Sequence, residues 1–438
     1  MTTNNTEESR NTAQTRGTET GRERTARREP TTGRTQTSRR RVVIGGAAAI
    51  TTGGLAGCLD GIPLGSDPED DSRDGDGGGS GDNVLPDLPR VEDPPDAVYV
   101  PTHREAMEHF PTQRAGEYAV TPMITYPHRF WLVTGQRAEE VLPESSRGVH
   151  LMFTPWDPET ESVLPVDAGA EMRVLDDDGS VIDQRAPWPM ISQSMGFHFG
   201  DNVPLPEDGT YTVEVDLNPI STRKTGAFEG RFEEGETVTF EFEYDDAFRR
   251  QLIDNVEYFD EELWGQRGAI EPMDHGDHDH SEEDDHSGED DHSGENDHDG
   301  HGDDHEMEMT MPFSRLPDAD AYPGTAMGEP ETGDARVVVR YLPESRLADD
   351  NDYLLVSPRT PYNAVPLADT AMSVSGAVEG NLTQTLDDEL GLHYGIEAPL
   401  SPGDAVDITF DSPPQVSRHA GYETAFLDLP PVEVTLPE

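Results

Sequence analysis

Basic residues are scarce in this chain of 438 residues, and lysine is nearly absent. Lys and Arg together number 31 against 90 Asp and Glu, and Lys224 is the only lysine. The net charge of −59 argues against nucleic acid as a partner, because phosphates carry the same sign. A surface this acidic stays hydrated where salt screens its self-repulsion, which indicates a halophilic archaeon as the source.

Cysteine is also nearly absent, which excludes internal disulfides and leaves apolar cores or metals to stabilise the fold. The single cysteine, Cys58, ends a Leu-Ala-Gly-Cys lipobox. Arg39 and Arg40 belong to a twin-arginine signal, and the apolar stretch at 42–56 is shorter than the roughly 20 residues of a spanning helix. We therefore expect export, lipidation of Cys58 and anchoring at the outer face of the cytoplasmic membrane. The alternative is a small buried cysteine.

Composition divides the chain into five segments. Residues 58–90 are rich in Asp, Gly, Ser and Pro and predict a disordered stalk after the lipidated cysteine. The predicted order is a signal peptide at 1–57, the stalk at 58–90, a first β-sandwich domain with a C-terminal helix at 91–270, a His/Asp-rich linker at 271–312 and a second β-sandwich domain at 313–438.

Alternating apolar and polar residues at 211–217 and 238–244 predict strands with one wet face. Such strands, separated by turns and with few helical patterns, indicate antiparallel β-sandwiches of immunoglobulin-like size. One helix is predicted, because apolar side chains recur at spacings of three and four from Phe248 to Leu263, before Gly265. The predicted fold class is thus mostly β, with two immunoglobulin-like antiparallel sandwiches.

Two blocks of sequence repeat each other and indicate a duplication. Residues 195–200 read Met-Gly-Phe-His-Phe-Gly, and residues 390–395 read Leu-Gly-Leu-His-Tyr-Gly, each before a Pro-Leu. Each block runs on into an alternating strand and then a proline turn. The repeat makes His198 and His393 equivalent, which favours a functional role for both over the alternative of ordinary hydrogen-bonded rings.

Between the two halves lies a tract with no basic residue and many histidines and carboxylates, which cannot form a core. Imidazole binds zinc, copper, nickel and iron, so the tract is a candidate metal trap, with zinc as one candidate ion. The alternative is a soluble spacer with incidental histidines. The tract histidines are His275, His278, His280, His286, His292, His298, His301 and His305.

Histidines and methionines in the two halves are further candidate ligands, because thioether and imidazole together suit copper or ferrous iron. In the first half these residues are Met190, Met195, His198, His128 and His150. In the second half His393 is accompanied by His419, with Met372 nearby in sequence.

The block at 195–200, the Gly-Thr-Tyr-Thr-Val run at 209–213 and the strand ending in proline resemble the periplasmic iron-transport proteins that bind copper and iron, a family that includes lipoproteins. The resemblance covers residues 123–244 best and the last hundred residues more faintly. It implies an immunoglobulin-like sandwich, a homodimer, and a metal held by a Glu, a Met and two His.

On this resemblance His198 matches the first family histidine, and Met190 or Met195 matches the methionine. Arg418-His419 matches a family Arg-His pair, whereas the first half has Arg223-Lys224 at the corresponding place. This departure leaves two alternatives for the first half: it recruits His128 or His150 instead, or it binds metal more weakly.

Together these observations predict an extracytoplasmic, lipid-anchored metal-binding protein in iron or copper uptake, with a membrane permease as a candidate partner. No metalloprotease, nucleophile-elbow or phosphate-loop motif occurs, so an enzyme is not expected. Two alternatives stay open: a structural surface lipoprotein without a specific metal site, and a copper-dependent redox enzyme.

Overall fold

The structure, a computed structural model, describes residues 88–145, 147–166, 169–273 and 311–438. All of them belong to one compact unit that runs from Gly78 to Glu438. The described chain is mostly β, as the alternating sequence predicted, and its strands form several antiparallel sheets. No helix within the described ranges is long and apolar enough to cross a membrane.

The described part of the first half contains short edge strands and several long strands that are buried on both faces. They are β1 (His103–Arg104), β2 (Glu108–His109), β3 (Gln113–Ala115), β4 (Tyr118–Thr125), β5 (Phe130–Thr134), β6 (Arg137–Val141), β7 (Gly148–Asp157), β8 (Ser162–Val163), β9 (Glu171–Leu175), β10 (Val181–Arg185), β11 (Trp188–Ser192), β12 (Gly196–Pro204), β13 (Gly209–Leu217), β14 (Arg223–Thr225), β15 (Glu236–Tyr244) and β16 (Glu257–Tyr258).

The second half repeats the longer of these strands. Its strands are β17 (Thr325–Gly328), β18 (Glu331–Thr332), β19 (Ala335–Ser345), β20 (Asn351–Arg359), β21 (Ala371–Gly376), β22 (Gly380–Asn381), β23 (Thr383–Asp387), β24 (Gly391–Glu397), β25 (Ala405–Ser412), β26 (Ser417–Arg418) and β27 (Val432–Thr435). Helix α1 spans Asp246–Asp254, and 3-10 turns span Gly226–Phe228, Ala319–Ala321 and Arg346–Ala348.

Each half folds as two facing sheets. In the first half the sheet β10-β9-β13-β15 packs against the larger sheet that contains β4, β7 and β12. In the second half β22-β21-β25-β27 packs against the sheet that contains β19, β20 and β24. The inward side chains of both sheets, such as Val213, Phe199 and Val356, form the apolar cores, as alternation along each strand requires.

The strand registers confirm the duplication. Met172 on β9 pairs with Val215 on β13, and Met372 on β21 pairs with Phe410 on β25. The hairpin turn before His198 and His393 also repeats, since Gly196 and Gly391 both adopt left-handed backbone with φ of 70° and 66°. Glycine is the residue that reaches this conformation without strain.

The two halves exchange strands, which the sequence did not predict. Strand β26 of the second half lies parallel to β11 of the first half, and β14 of the first half lies parallel to β23 of the second half. We call β14 the first arm and β26 the second arm. Because each arm completes a sheet of the other half, the two sandwiches interlock.

The predicted helix is shorter than its sequence pattern suggested. Helix α1 ends at Asp254, and the chain then forms β16, which pairs with β1. Phe259 donates its backbone N–H to the carbonyl of Thr102, and residues 260–266 form separate turns, with Leu263 bonded to Asp260, instead of continuing the helix. Tertiary pairing therefore overrides the apolar spacing that extended to Leu263.

Candidate metal centre

Four histidines from distant parts of the chain converge on the outer face of the larger sheet of the first half. His150 lies on β7 and His198 on β12, and the residues before and after each of them point into the apolar core. Alternation along a strand therefore turns both imidazoles away from the core. His128 lies between β4 and β5, and His419 directly follows the second arm. His150, His198 and His419 are buried, and His128 is partly buried.

The imidazole nitrogens of these residues lie close together. Nε2 of His128 is 3.2 Å from Nδ1 of His419, and Nε2 of His198 is 3.1 Å from Nε2 of His419. One ligand atom each from His128, His150 and His419 lie within 4.8 Å of one another, which a single ion can bridge. We call the four residues the histidine cluster.

Hydrogen bonds on the far side of three rings fix their tautomers. Nδ1 of His128 contacts the carbonyl of Tyr126 at 3.1 Å, and Nδ1 of His198 contacts the carbonyl of Gly196 at 3.2 Å. A carbonyl can only accept, so both Nδ1 atoms carry the hydrogen and both Nε2 atoms present lone pairs to the cluster. This orientation, with Nδ1 held by an oxygen and Nε2 free, is typical of metal-binding histidines.

Asn202 imposes the same tautomer on His150. Its side-chain amide donates to the carbonyl of His128 at 2.8 Å, so its Oδ1 atom is the acceptor for Nδ1 of His150 at 3.0 Å. Nε2 of His150 is then a buried lone pair with no hydrogen-bond partner within the described chain. Asn202 is not among the residues that the sequence predicted, although its place four residues after His198 puts both side chains on the same face of β12.

The neutral cluster has too few hydrogens for its contacts. His419 carries one N–H when neutral, so it can donate to His128 or to His198 but not to both. The remaining contact then brings two lone pairs together at 3.1 to 3.2 Å. Such an arrangement needs a cation between the nitrogens, either a proton or a metal ion.

Burial disfavours the proton. Desolvation lowers the pKa of His198 to about 4 and lowers the pKa values of His150 and His419 well below the usual 6.5. The neighbouring imidazoles lower the pKa of His419 further. Desolvation also lowers the pKa of His128, although Glu105 opposes that shift. At neutral pH the four rings are therefore uncharged and able to coordinate a metal without releasing protons.

One predicted methionine lies at the cluster, and two lie elsewhere. Met190 on β11 is directly opposite His198 on β12, so both side chains are on the same face of the sheet. Met195 packs in the core of the first half and Met372 in the core of the second. Met372 is turned inward by the alternation of β21, whereas Met195 lies in the turn between β11 and β12, and both thioethers serve apolar packing.

The expected pairing of His393 with His419 is wrong. His393 lies on β24 in the second half, whereas the second arm carries His419 to the first half. The site is therefore composite, with three histidines from one half and one from the other. Cys58, Arg39, Arg40 and the tract histidines from His275 to His305 lie outside the described residues.

The turn after His419 is held by groups from both halves. Gly421 has φ of 90°, and a β-carbon there would approach the carbonyl of Tyr99 to 2.6 Å. The amide of Gln193 donates to the carbonyls of Tyr99 and Gly421 at 2.8 and 3.2 Å. Glu423 accepts from the backbone of Gly421 at 2.7 Å and from the Tyr99 hydroxyl. These contacts fix the position from which His419 reaches the cluster.

A cleft of about 800 Å³ connects the surface with the histidine cluster at His128. Its wall includes the carboxylates of Glu105, Glu140 and Glu423 and the ring of His103. Five carboxylates line the cleft against two arginines, Arg90 and Arg129, and this excess of negative charge favours the approach of cations over anions. The geometry therefore supplies both a buried ligand set and a route to it.

Comparisons with known proteins give partial matches. A family model described as "Domain of unknown function (DUF7350)" matches residues 320–435. No curated protein matches the chain. Among solved structures, a copper-bound variant of FetP from uropathogenic Escherichia coli is similar at 19% identity and a TM-score of 0.25, covering 31% of this chain and 97% of that chain. FetP of the same organism in its "as isolated" form, recombinantly expressed in the E. coli periplasm, is similar at 20% identity and a TM-score of 0.24, covering 31% of this chain and 96% of that chain.

Proposed function

We propose that this protein is an extracytoplasmic, lipid-anchored metal-binding protein that holds a copper or iron ion at the histidine cluster for uptake. The observation that carries the proposal is the set of Nε2 lone pairs of His128, His150 and His198, which face His419 with too few hydrogens between them. Because a metal ion replaces the missing hydrogen, binding relieves a repulsion built into the fold.

The donor set favours transition metals. Imidazole nitrogens are intermediate ligands, and the thioether of Met190 on the same face adds a soft donor. Calcium and magnesium need oxygen ligands, and the four ring contacts supply none. Copper and ferrous iron fit this set best. Copper is the more favourable of the two by the usual order of affinities for nitrogen sites.

The described chain on either side of the histidine tract is bound to the hairpin that carries His198. Met273 donates its backbone N–H to the carbonyl of Ser194 at 2.9 Å, and Phe197 donates its own to the hydroxyl of Ser314 at 2.7 Å. The last described residue before the tract and a residue shortly after it therefore both lie beside the site. This tether supports a role for residues 274–305 as a local metal trap that raises the metal concentration near the cluster.

The test is metal retention by the full-length protein. After stripping with a chelator and loading with Cu(II) or Fe(II), the protein is dialysed against excess free histidine, and retained metal is counted by mass spectrometry. We expect about one retained ion per chain, lost in His150→Gln and kept in His109→Gln, which alters a histidine on the edge strand β2. Equal retention by both variants contradicts the proposal.

Further variants test the remaining parts of the proposal. Deleting residues 274–305 should leave the metal retained after dialysis unchanged. Only the loosely bound metal that dialysis removes should decrease. Cys58→Ser should release the protein from membranes.

Binding without turnover is proposed because the sequence lacks catalytic motifs. Steady consumption of a defined substrate that depends on His198 would instead support the copper-dependent redox enzyme.

A further inference from the structure

His393 occupies in the second half the place that His198 has in the first. His393 on β24 pairs with Thr385 on β23, just as His198 on β12 pairs with Met190 on β11. Nδ1 of His393 contacts the carbonyl of Gly391 at 3.1 Å, which repeats the contact of His198 with Gly196. The duplication has therefore built a second cradle with one histidine in the same orientation.

Two other ligand positions of this second cradle have changed. Tyr353 pairs with Glu397 as His150 pairs with Asn202, so a tyrosine stands in place of His150. The glycine that faces each ring supports this match. A β-carbon on Gly200 would meet Nε2 of His150 at 2.9 Å, and a β-carbon on Gly395 would meet the Tyr353 hydroxyl at 2.2 Å. Thr385 stands in place of Met190.

The two arms can be matched by their hydrogen bonds. Arg418 on the second arm donates to the carbonyl of Pro414 at 3.1 Å, and Lys224 on the first arm donates to the carbonyl of Ile220 at 2.7 Å, each four residues back. Lys224 therefore matches Arg418, and the next residue, Thr225, matches His419. The sequence alignment of Arg223-Lys224 with Arg418-His419 is shifted by one residue.

The first arm brings an ionic cluster in place of a ligand. The buried carboxylate of Asp387 accepts from both guanidinium nitrogens of Arg346 at 2.6 and 3.0 Å and from the Thr225 hydroxyl at 2.6 Å. Arg223 donates to Thr385 and to the carbonyl of Leu347 at 3.4 and 2.5 Å. Arg346 also pairs with Glu389 at 3.2 Å, so the carboxylates of the cradle are occupied by guanidinium groups and the single imidazole of His393 is left without the further ligands that a metal ion needs.

We propose, on the basis of the proposed function, that the second cradle is a converted metal site, which binds no metal and instead fastens the first arm to the second half. Each chain then holds one tightly bound ion, at the histidine cluster alone. The Nε2 atom of His393 is buried without a hydrogen-bond partner in the described structure. It is the one ligand atom of the histidine cluster that the second cradle retains.

The matched pair His198→Gln and His393→Gln tests the stoichiometry in the full-length protein. After copper loading and dialysis against free histidine, we expect His198→Gln to lose one retained ion per chain relative to the parent and His393→Gln to lose none. Equal loss in both variants overturns this inference and leaves the proposed function standing. Loss in neither variant overturns both.

Asp387→Asn tests the fastening role. In the metal-stripped protein we expect it to lower Tm by more than about 2 °C, since it weakens the contacts of the first arm, while the copper retained after loading is unchanged. His198→Gln provides the contrast, because it should lower retained copper. A lower copper content with an unchanged Tm in Asp387→Asn would overturn the inference.

Discussion

Acidification should destabilise the metal-stripped fold through its buried histidines. Burial lowers the pKa values of His198 and His393 from 6.5 to about 4. Between pH 6.5 and 4 the unfolded chain therefore binds more protons than the folded chain, so stability falls as the pH falls through this window and levels off below it. At pH 5 each of these two histidines costs about 2 kcal/mol relative to pH 7.5.

His393 isolates this effect from metal binding, because it lies outside the histidine cluster. We expect His393→Gln to lose about 2 kcal/mol less than the parent between pH 7.5 and pH 5, since glutamine does not titrate. Urea unfolding of chelator-treated protein at fixed salt measures the free energy of unfolding at each pH.

The comparison uses the change with pH rather than absolute stability, because the substitution also alters packing. The 90 carboxylates titrate alike in parent and variant, so their contribution cancels in the difference. Parallel pH curves for the two proteins would refute the claim that burial holds His393 uncharged in the folded state.

Three further substitutions follow from the contacts of the first half. Asn202→Leu removes the acceptor that orients His150. We expect copper affinity to fall by about 10-fold to 100-fold in a chelator-competition titration. An unchanged affinity would contradict the assignment of the His150 tautomer. Gly200→Ala places a β-carbon 2.9 Å from Nε2 of His150, and urea unfolding should show a loss of about 1 to 3 kcal/mol. Arg231 binds the buried carboxylate of Asp157 at 2.8 and 3.1 Å, so Arg231→Ala leaves that carboxylate without its cation. Thermal unfolding should show that the free energy of unfolding falls by about 3 kcal/mol. A loss near zero would show that Thr160 satisfies the carboxylate alone.

Local pattern sufficed for the mostly β fold class. The alternation at 211–217 became β13 with one buried face, because a period of two turns every second side chain inward. The same rule, applied to β7 and β12, turns His150 and His198 away from the core. The helix was overestimated because strand pairing of residues 257–258 is a long-range contact that no apolar spacing reveals.

The sequence by itself determined the duplicated strand pattern, the acidic surface and the residue types able to bind a metal. Only the tertiary structure decided which of them meet. His419 is far from His128 in sequence and reaches it because the second arm crosses into the other half, and the first arm brings Arg223 and Thr225 to the opposite cradle. Both crossings depend on parallel pairing between remote strands, which is a property of the folded chain and leaves no mark in local periodicity.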